Sequence, residues 1–302
     1  MQHAIQRIGM SIDAWQRSHT VPAFIYAVIK KYVDDNAGSQ AALLAYYGFL
    51  SLFPLLLLLV TLLRIGLHND PHLSDQVLRA AFAYFPAVGR TLEQNIHTLG
   101  KTGPALAISL VLTLFGARAV ADGLRTTLDN LWRVPMKKRA TLPLAAARSL
   151  LIIIIGGLGA VVTPVAFSYL LSFAPNRLVG GLSVILTAAA LYGVMIVIIK
   201  LGTSMPMPFH QIWLTALVAV IGLSLLQSIG GYIMARELQQ MDASYGSFAL
   251  VLSLLFWLYL QTQMLVLALE VDTVRVGRLW PRSLLAPLTP ADKAADLNQP
   301  IQ

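Results

Sequence analysis

The chain predicts an all-α, polytopic membrane bundle of six transmembrane helices with kinked spans, interfacial N-terminal helices and a short amphipathic external helical pair. Three observations predict it. Of the 302 residues, 57% are hydrophobic and 12% charged, with a mean hydropathy of +0.69; a soluble domain is nearer half apolar and a quarter charged. Five stretches lack Asp, Glu, Lys and Arg and are long enough to cross about 30 Å of hydrocarbon, which takes about 20 helical residues. The basic residues split unevenly between the two sides that such spans create, as topology demands.

In chain order, Ile5, Ile8, Ile12 and Trp15 recur at helical spacing with Gln6, Arg7, Asp13 and Arg17 on other faces, which reads as a helix lying in the interface. A second such piece, Ala23 to Val33, follows Pro22, so residues 1–40 form an interfacial N-terminal region. These thirty-odd residues show no compact apolar core followed by a small-residue cleavage site, so no cleavable signal peptide is expected. The charge-free stretches run Ala42 to Leu63, Ser149 to Phe173, Leu178 to Ile199, Gln211 to Ala235 and Tyr245 to Leu269. A sixth, Thr102 to Ala117, is shorter and ends at Arg118.

The basic residues arbitrate the sixth span. With six, sixteen Lys and Arg fall on one side and six on the other, the larger group including Lys30, Lys31, Arg118, Arg125, Arg133 and Arg275. Basic residues accumulate on the cytoplasmic side, which puts both termini there. The expected spans are 42–66, 102–121, 149–173, 178–200, 211–235 and 245–272 within a membrane domain of 41–275. Between the first two, Leu73, Val77, Phe82 and Phe85, then Val88, Leu92, Ile96 and Leu99, have roughly helical spacing and read as two short external amphipathic helices. Residues 276–302, with Pro281, Pro287, Pro290 and Pro300 among small and polar residues, read as a flexible cytoplasmic tail.

Three landmarks now carry a resemblance. Ala41-Ala42-Leu43-Leu44-Ala45-Tyr46-Tyr47 runs into Leu50-Ser51-Leu52-Phe53-Pro54 and a leucine run; Asn130-Leu131-Trp132-Arg133-Val134-Pro135 precedes a basic cluster; Tyr245-Gly246-Ser247 is followed by Trp257-Leu258-Tyr259 and a closing Glu270. In order and spacing, from about residue 20 to 275, these resemble the signatures of the YihY/BrkB family of bacterial inner-membrane proteins. The resemblance implies a six-helix integral membrane protein of the bacterial inner membrane. Members have been called virulence factors, and some were once labelled a tRNA-processing ribonuclease. The chain departs from the pattern at Leu267-Ala268-Leu269-Glu270, where the family has a Gly-Ala pair before the glutamate, and at Met205-Pro206-Met207-Pro208, where it has a Pro-Asn element.

Polar residues at membrane depth are the candidate functional residues, because burying a charge there costs roughly 2.5–3.5 kcal/mol unless it is paired or hydrated. Arg118, Asp122, Arg125 and Asp129 form a ladder at spacings of four, three and four, so on a helix they share a face and can pair along it. The ladder also begins where the apolar run stops, which fits a solvated helix end. Tyr259, Gln263 and Glu270 share another face, where Glu270 can accept a proton or pair with Arg118 or Arg125. Pro54 and Pro164 remove helix donors and predict kinks, with Tyr46, Tyr47 and Ser51 as the polar lining of the first. Such breaks line substrate paths in transporters and equally serve packing alone.

Lys137, Lys138 and Arg139 form a basic patch suited to anionic lipid headgroups or plain topology control, in keeping with the net charge of +8. It is too small, and lacks the interleaved aromatics, for nucleic acid. With no cysteine, six scattered histidines, no P-loop and no Gly-x-Ser-x-Gly elbow, neither an enzyme, a metal site nor a cofactor is expected. The leading expectation is a transporter or flippase-like protein for a lipid or amphipathic anion, with a cavity lined by Tyr46, Ser51, Arg125 and Glu270. The alternative is a non-transporting envelope-integrity or scaffold protein, with homo-oligomers or envelope partners left open.

Overall fold

Apolar runs of this length have no reason to stop within the hydrocarbon, and they fold as long helices whose outer faces stay apolar. The structure is a computed structural model and describes residues 2–66, 75, 104–172, 177–245, 248–284 and 288–295. Two helices open the chain, α1 (Gln2–Ser18) and α2 (Thr20–Asp34). Six long ones follow: α3 (Ala37–Gly66), α4 (Pro104–Leu131), α5 (Leu142–Ser172), α6 (Arg177–Gly202), α7 (Phe209–Tyr245) and α8 (Phe248–Val276). A short α9 (Pro290–Ala294) ends the described chain, and no strand occurs among the described residues.

Three described windows are long and apolar enough to cross a membrane: Val184–Gly202 in α6, Phe209–Gly230 in α7 and Val251–Val276 in α8. They correspond to the last three expected spans. The weak sixth stretch forms part of α4, which continues helical through the whole charge ladder. The helical backbone likewise continues through Pro54 in α3 and Pro164 in α5, so neither proline ends its helix. The expected external pair at 73–99 lies, but for Asp75, outside the described residues.

Consecutive helices pair as α3–α4, α5–α6 and α7–α8, while α8 also packs against α3 and α2. Their buried core gathers at one end. Ala37, Ala41 and Leu44 at the start of α3 meet Leu128, Leu131, Trp132 and Val134 at the end of α4, with Ile199, Ile212, Ala216, Val266 and Leu269 closing the cluster. The two family landmarks Asn130–Pro135 and Trp257–Tyr259 are therefore largely packing elements: Leu131, Trp132, Val134 and Trp257 are all buried. On α4, Gly116 lies so close to α3 that a Cβ would stand 2.6 Å from Ser51 Cβ, inside van der Waals contact. Only glycine permits that approach.

The region expected to be a flexible tail is largely packed where it is described. Leu279, Arg282, Ser283, Asp292 and Ala295 are buried, and Leu279 and Ala295 join Ala27, Val28, Val271 and Val274 in a second apolar cluster. The physical reason is one carboxylate. Asp292 accepts hydrogen bonds from the Ser283 backbone N–H (2.9 Å) and hydroxyl (2.8 Å), from Lys30 Nζ (2.9 Å) and from Arg282 Nε (2.9 Å), and caps α9 with Thr289 in a reciprocal capping box. Burial alone would raise its pKa, but these donors hold it well below the usual carboxylate range. Arg282 also reaches Asp34 at 2.7 Å, Asp13 accepts from Leu284 N–H, and Arg133 donates to Ala295 O. Proline content suggested disorder; charge-assisted bonds supply the order.

Candidate functional site

At the end of α2 the chain turns through Asn36, held at φ 51°, and re-enters helix at Ala37. That elbow leaves Lys31 and Asp35 facing the last third of α8. Lys31 is wholly buried, pairs with Asp35 one turn on, and lies 3.7 Å from Glu270, which is itself wholly buried. The distance to Glu270 is an ion-pair contact too long for a hydrogen bond. Among the described residues, Glu270 Oε1 and Oε2 and Asp35 Oδ1 receive no hydrogen bond. Gln40 donates through Nε2 to the Asp35 carbonyl at 3.2 Å, while its own Oε1 is buried and unpartnered.

A groove opens beside this cluster, between α7 and α8 and under Tyr32. Its volume is about 510 Å³, and Tyr32, Leu226, Ile229, Gln263, Met264 and Leu267 are among its walls. The lining is almost entirely apolar, with Tyr32 and Gln263 as its polar groups. Each polar member is tied by sequence to the charge cluster: Tyr32 follows Lys31, and Gln263 stands seven residues before Glu270, two turns along the same face of α8. Gln263 Nε2 donates to the Tyr259 hydroxyl at 2.7 Å, which joins two of the three residues of the expected Tyr259–Gln263–Glu270 stripe. An apolar trough with a few convergent polar groups suits an amphipathic ligand.

The other expected residues are placed differently. Glu270 pairs with Lys31, not with Arg118 or Arg125. Those two face Asp122 instead, at 3.4 and 3.6 Å. Burial rises along the ladder on α4: Arg118 is exposed, Asp122 half-buried, and Arg125 and Asp129 buried. Arg125 donates to Ala145 O at 3.0 Å, Ser149 donates to Asp122 at 2.6 Å, and Asp129 takes the Ser204 N–H and hydroxyl at 2.9 and 2.6 Å. The buried half is a set of clamps from α4 to α5 and to the loop after α6.

Tyr46 is half exposed and lies 5.8 Å, ring to ring, from Tyr47. Ser51 is buried and returns its hydroxyl to Gly48 O. The side chain of Pro54 lies outside the described residues. None of Tyr46, Ser51, Arg125 and Glu270 lines the α7–α8 groove. Lys137 and Lys138 are exposed on a single 3₁₀ turn, and Arg139 is drawn back to Asn130 at 2.8 Å. Among the described residues, no group of three or more His, Asp or Glu could hold a metal ion.

The sequence reading counts Lys31 only as topological charge and does not single out Asp35. The signal was available: Ala23, Ala27 and Lys31 repeat every four residues, a small-residue stripe that ends in a charge and therefore faces protein.

Comparisons with known proteins agree with this architecture. The model of the family described as Virulence factor BrkB matches residues 28–285. The UPF0761 membrane protein of Alcanivorax borkumensis is 23% identical over 259 residues, covering 82% of this chain. The chain spans 59% of that relative's length. No solved structure matches the chain. With a family match running from α2 past the end of α8 over an all-helical bundle carrying membrane-length apolar helices, the chain belongs to the BrkB family of membrane proteins.

Proposed function

We propose that the protein is a transporter or flippase-like protein that moves a lipid or another amphipathic anion across the bacterial inner membrane. The observation that carries this reading is the α7–α8 groove, apolar along its length and polar at Tyr32 and Gln263. Acyl chains match the apolar walls, and a headgroup needs the polar end. We further propose six spans with both termini cytoplasmic. Supporting it, α3 and α7 begin, and α4, α6 and α8 end, at the end of the bundle where the core gathers, and the first turns of α5 are bonded there to Arg125 and Thr203. The sixteen-to-six division of basic residues supports the same orientation. No hydrolytic chemistry is proposed, and the exposed Lys137 and Lys138 suit anionic headgroups at the surface.

One observation favours a second reading, a non-transporting envelope scaffold. The buried half of the charge ladder is spent on clamps between helices, with Arg125 and Asp129 holding α5 and the loop after α6. Reconstitution separates the two. In vesicles carrying a headgroup-labelled phospholipid, the purified protein should expose inner-leaflet label to an external quencher faster than protein-free vesicles do, and Leu226→Trp, which fills the groove, should slow this. Rates equal to those of empty vesicles would overturn the transport reading in favour of the scaffold.

A further inference from the structure

The Lys31–Asp35–Glu270 cluster is short of hydrogen-bond donors and has a single cation in direct contact. Two carboxylates share one ammonium, and Lys31 stands closer to Asp35 than to Glu270. Arg133 also acts on Glu270 electrostatically, but its Nη2 is turned to the Ala295 carbonyl. Glu270 Oε1 and Oε2, Asp35 Oδ1 and Gln40 Oε1 are all buried oxygens without a donor. Lys31 and Glu270 have no exposed surface, so bulk solvent screens their charges weakly. Unpaired acceptor oxygens on two carboxylates, with one ammonium in contact, suit a cation. The described residues supply no third carboxylate or histidine, which argues for a single charge over a divalent ion.

We propose that Asp35, Gln40 and Glu270 form a binding site for a small monovalent cation, sodium in the first instance, with the Lys31 ammonium as its tethered competitor. When sodium enters, Lys31 gives up its contact with Glu270; when sodium leaves, Lys31 takes its place. Because Tyr32 adjoins Lys31 and Gln263 shares the Glu270 face, the exchange acts on the polar end of the groove. The site does not depend on the lipid reading. Its test reads binding, so a protein that moves no lipid can still bind sodium, and the reverse also holds.

The experiment is thermal melting of the full chain in detergent, in sodium chloride and in choline chloride at equal ionic strength. Ligands that bind the native state raise the melting temperature saturably, and sodium should do so for the wild type. Glu270→Gln should abolish the difference between the salts. Lys31→Met should melt low in choline chloride, recover in sodium chloride, and bind sodium on the order of tenfold or more tightly than wild type, since a unit charge no longer competes. Should Lys31→Met fail to fold in choline, its yield of folded protein when purified in sodium reads the same dependence. Identical melting of wild type and Lys31→Met in the two salts, or a sodium response that survives Glu270→Gln, would overturn the proposal.

Discussion

Consecutive lysines on α2 meet two buried carboxylates that the fold treats oppositely. Lys30 reaches Asp292, whose oxygens also take donors from Ser283, Thr289 and Arg282. Lys31 approaches Glu270, whose oxygens take no hydrogen bond from the described residues. A fully satisfied buried carboxylate is a fastener, and its removal strands its partners. An unsatisfied one held in place by surrounding packing is a different object. Its cost is retained for a purpose other than stability.

The comparison breaks first at the fastener. Asp292→Ala takes a carboxylate from Lys30 and from the buried Arg282, strands the Ser283 and Thr289 N–H donors, and should cost about 3–5 kcal/mol, measured by denaturation in detergent. Acid should act through the same group. Its pKa is lowered in the folded protein, so it contributes stability above its unfolded value near 3.8 that is lost progressively as the pH falls below that. Melting curves of wild type and Asp292→Asn should therefore converge as the pH drops below about 4. Glu270→Gln, by contrast, leaves Lys31 its pair with Asp35 and should cost far less than Asp292→Ala. If the two variants lose equal stability, the distinction between fastener and site fails.

Smaller effects sharpen it. Gly116→Ala forces a Cβ against the backbone and side chain of Ser51 and should destabilise by about 1–3 kcal/mol. Asp129→Asn weakens the bonds from Ser204 and should cost roughly 1 kcal/mol. Arg118→Gln removes only an exposed pair with Asp122 and should leave the melting temperature unchanged within error. A large loss in Arg118→Gln would mean that the outer half of the ladder is as structural as the inner half.

These contrasts show what the sequence could carry. Charge-free length alone marked α6, α7 and α8 as membrane-length helices, because hydrocarbon thickness fixes that length. The pairing of Tyr259 with Gln263 was legible for the same local reason, helical periodicity. The partner of Glu270 was not, since Lys31 lies more than two hundred residues away and only the elbow at Asn36 brings it there. The packed tail had a local signature in Thr289-Pro290-Ala291-Asp292, a capping box with proline at its first helical position, which the surrounding prolines obscured. The groove had none, because Gly222 and Met264 face each other only once α7 and α8 have paired.

The central claim is that lipid occupies the α7–α8 groove beside the buried charges. Crosslinking with a photoactivatable phospholipid in vesicles, followed by peptide mapping, tests it most directly. The account predicts labelling concentrated on 222–229 and 260–267 and lost in Leu226→Trp. Labelling spread evenly over the outward apolar faces of α5, α6 and α7, unchanged by Leu226→Trp, would contradict it.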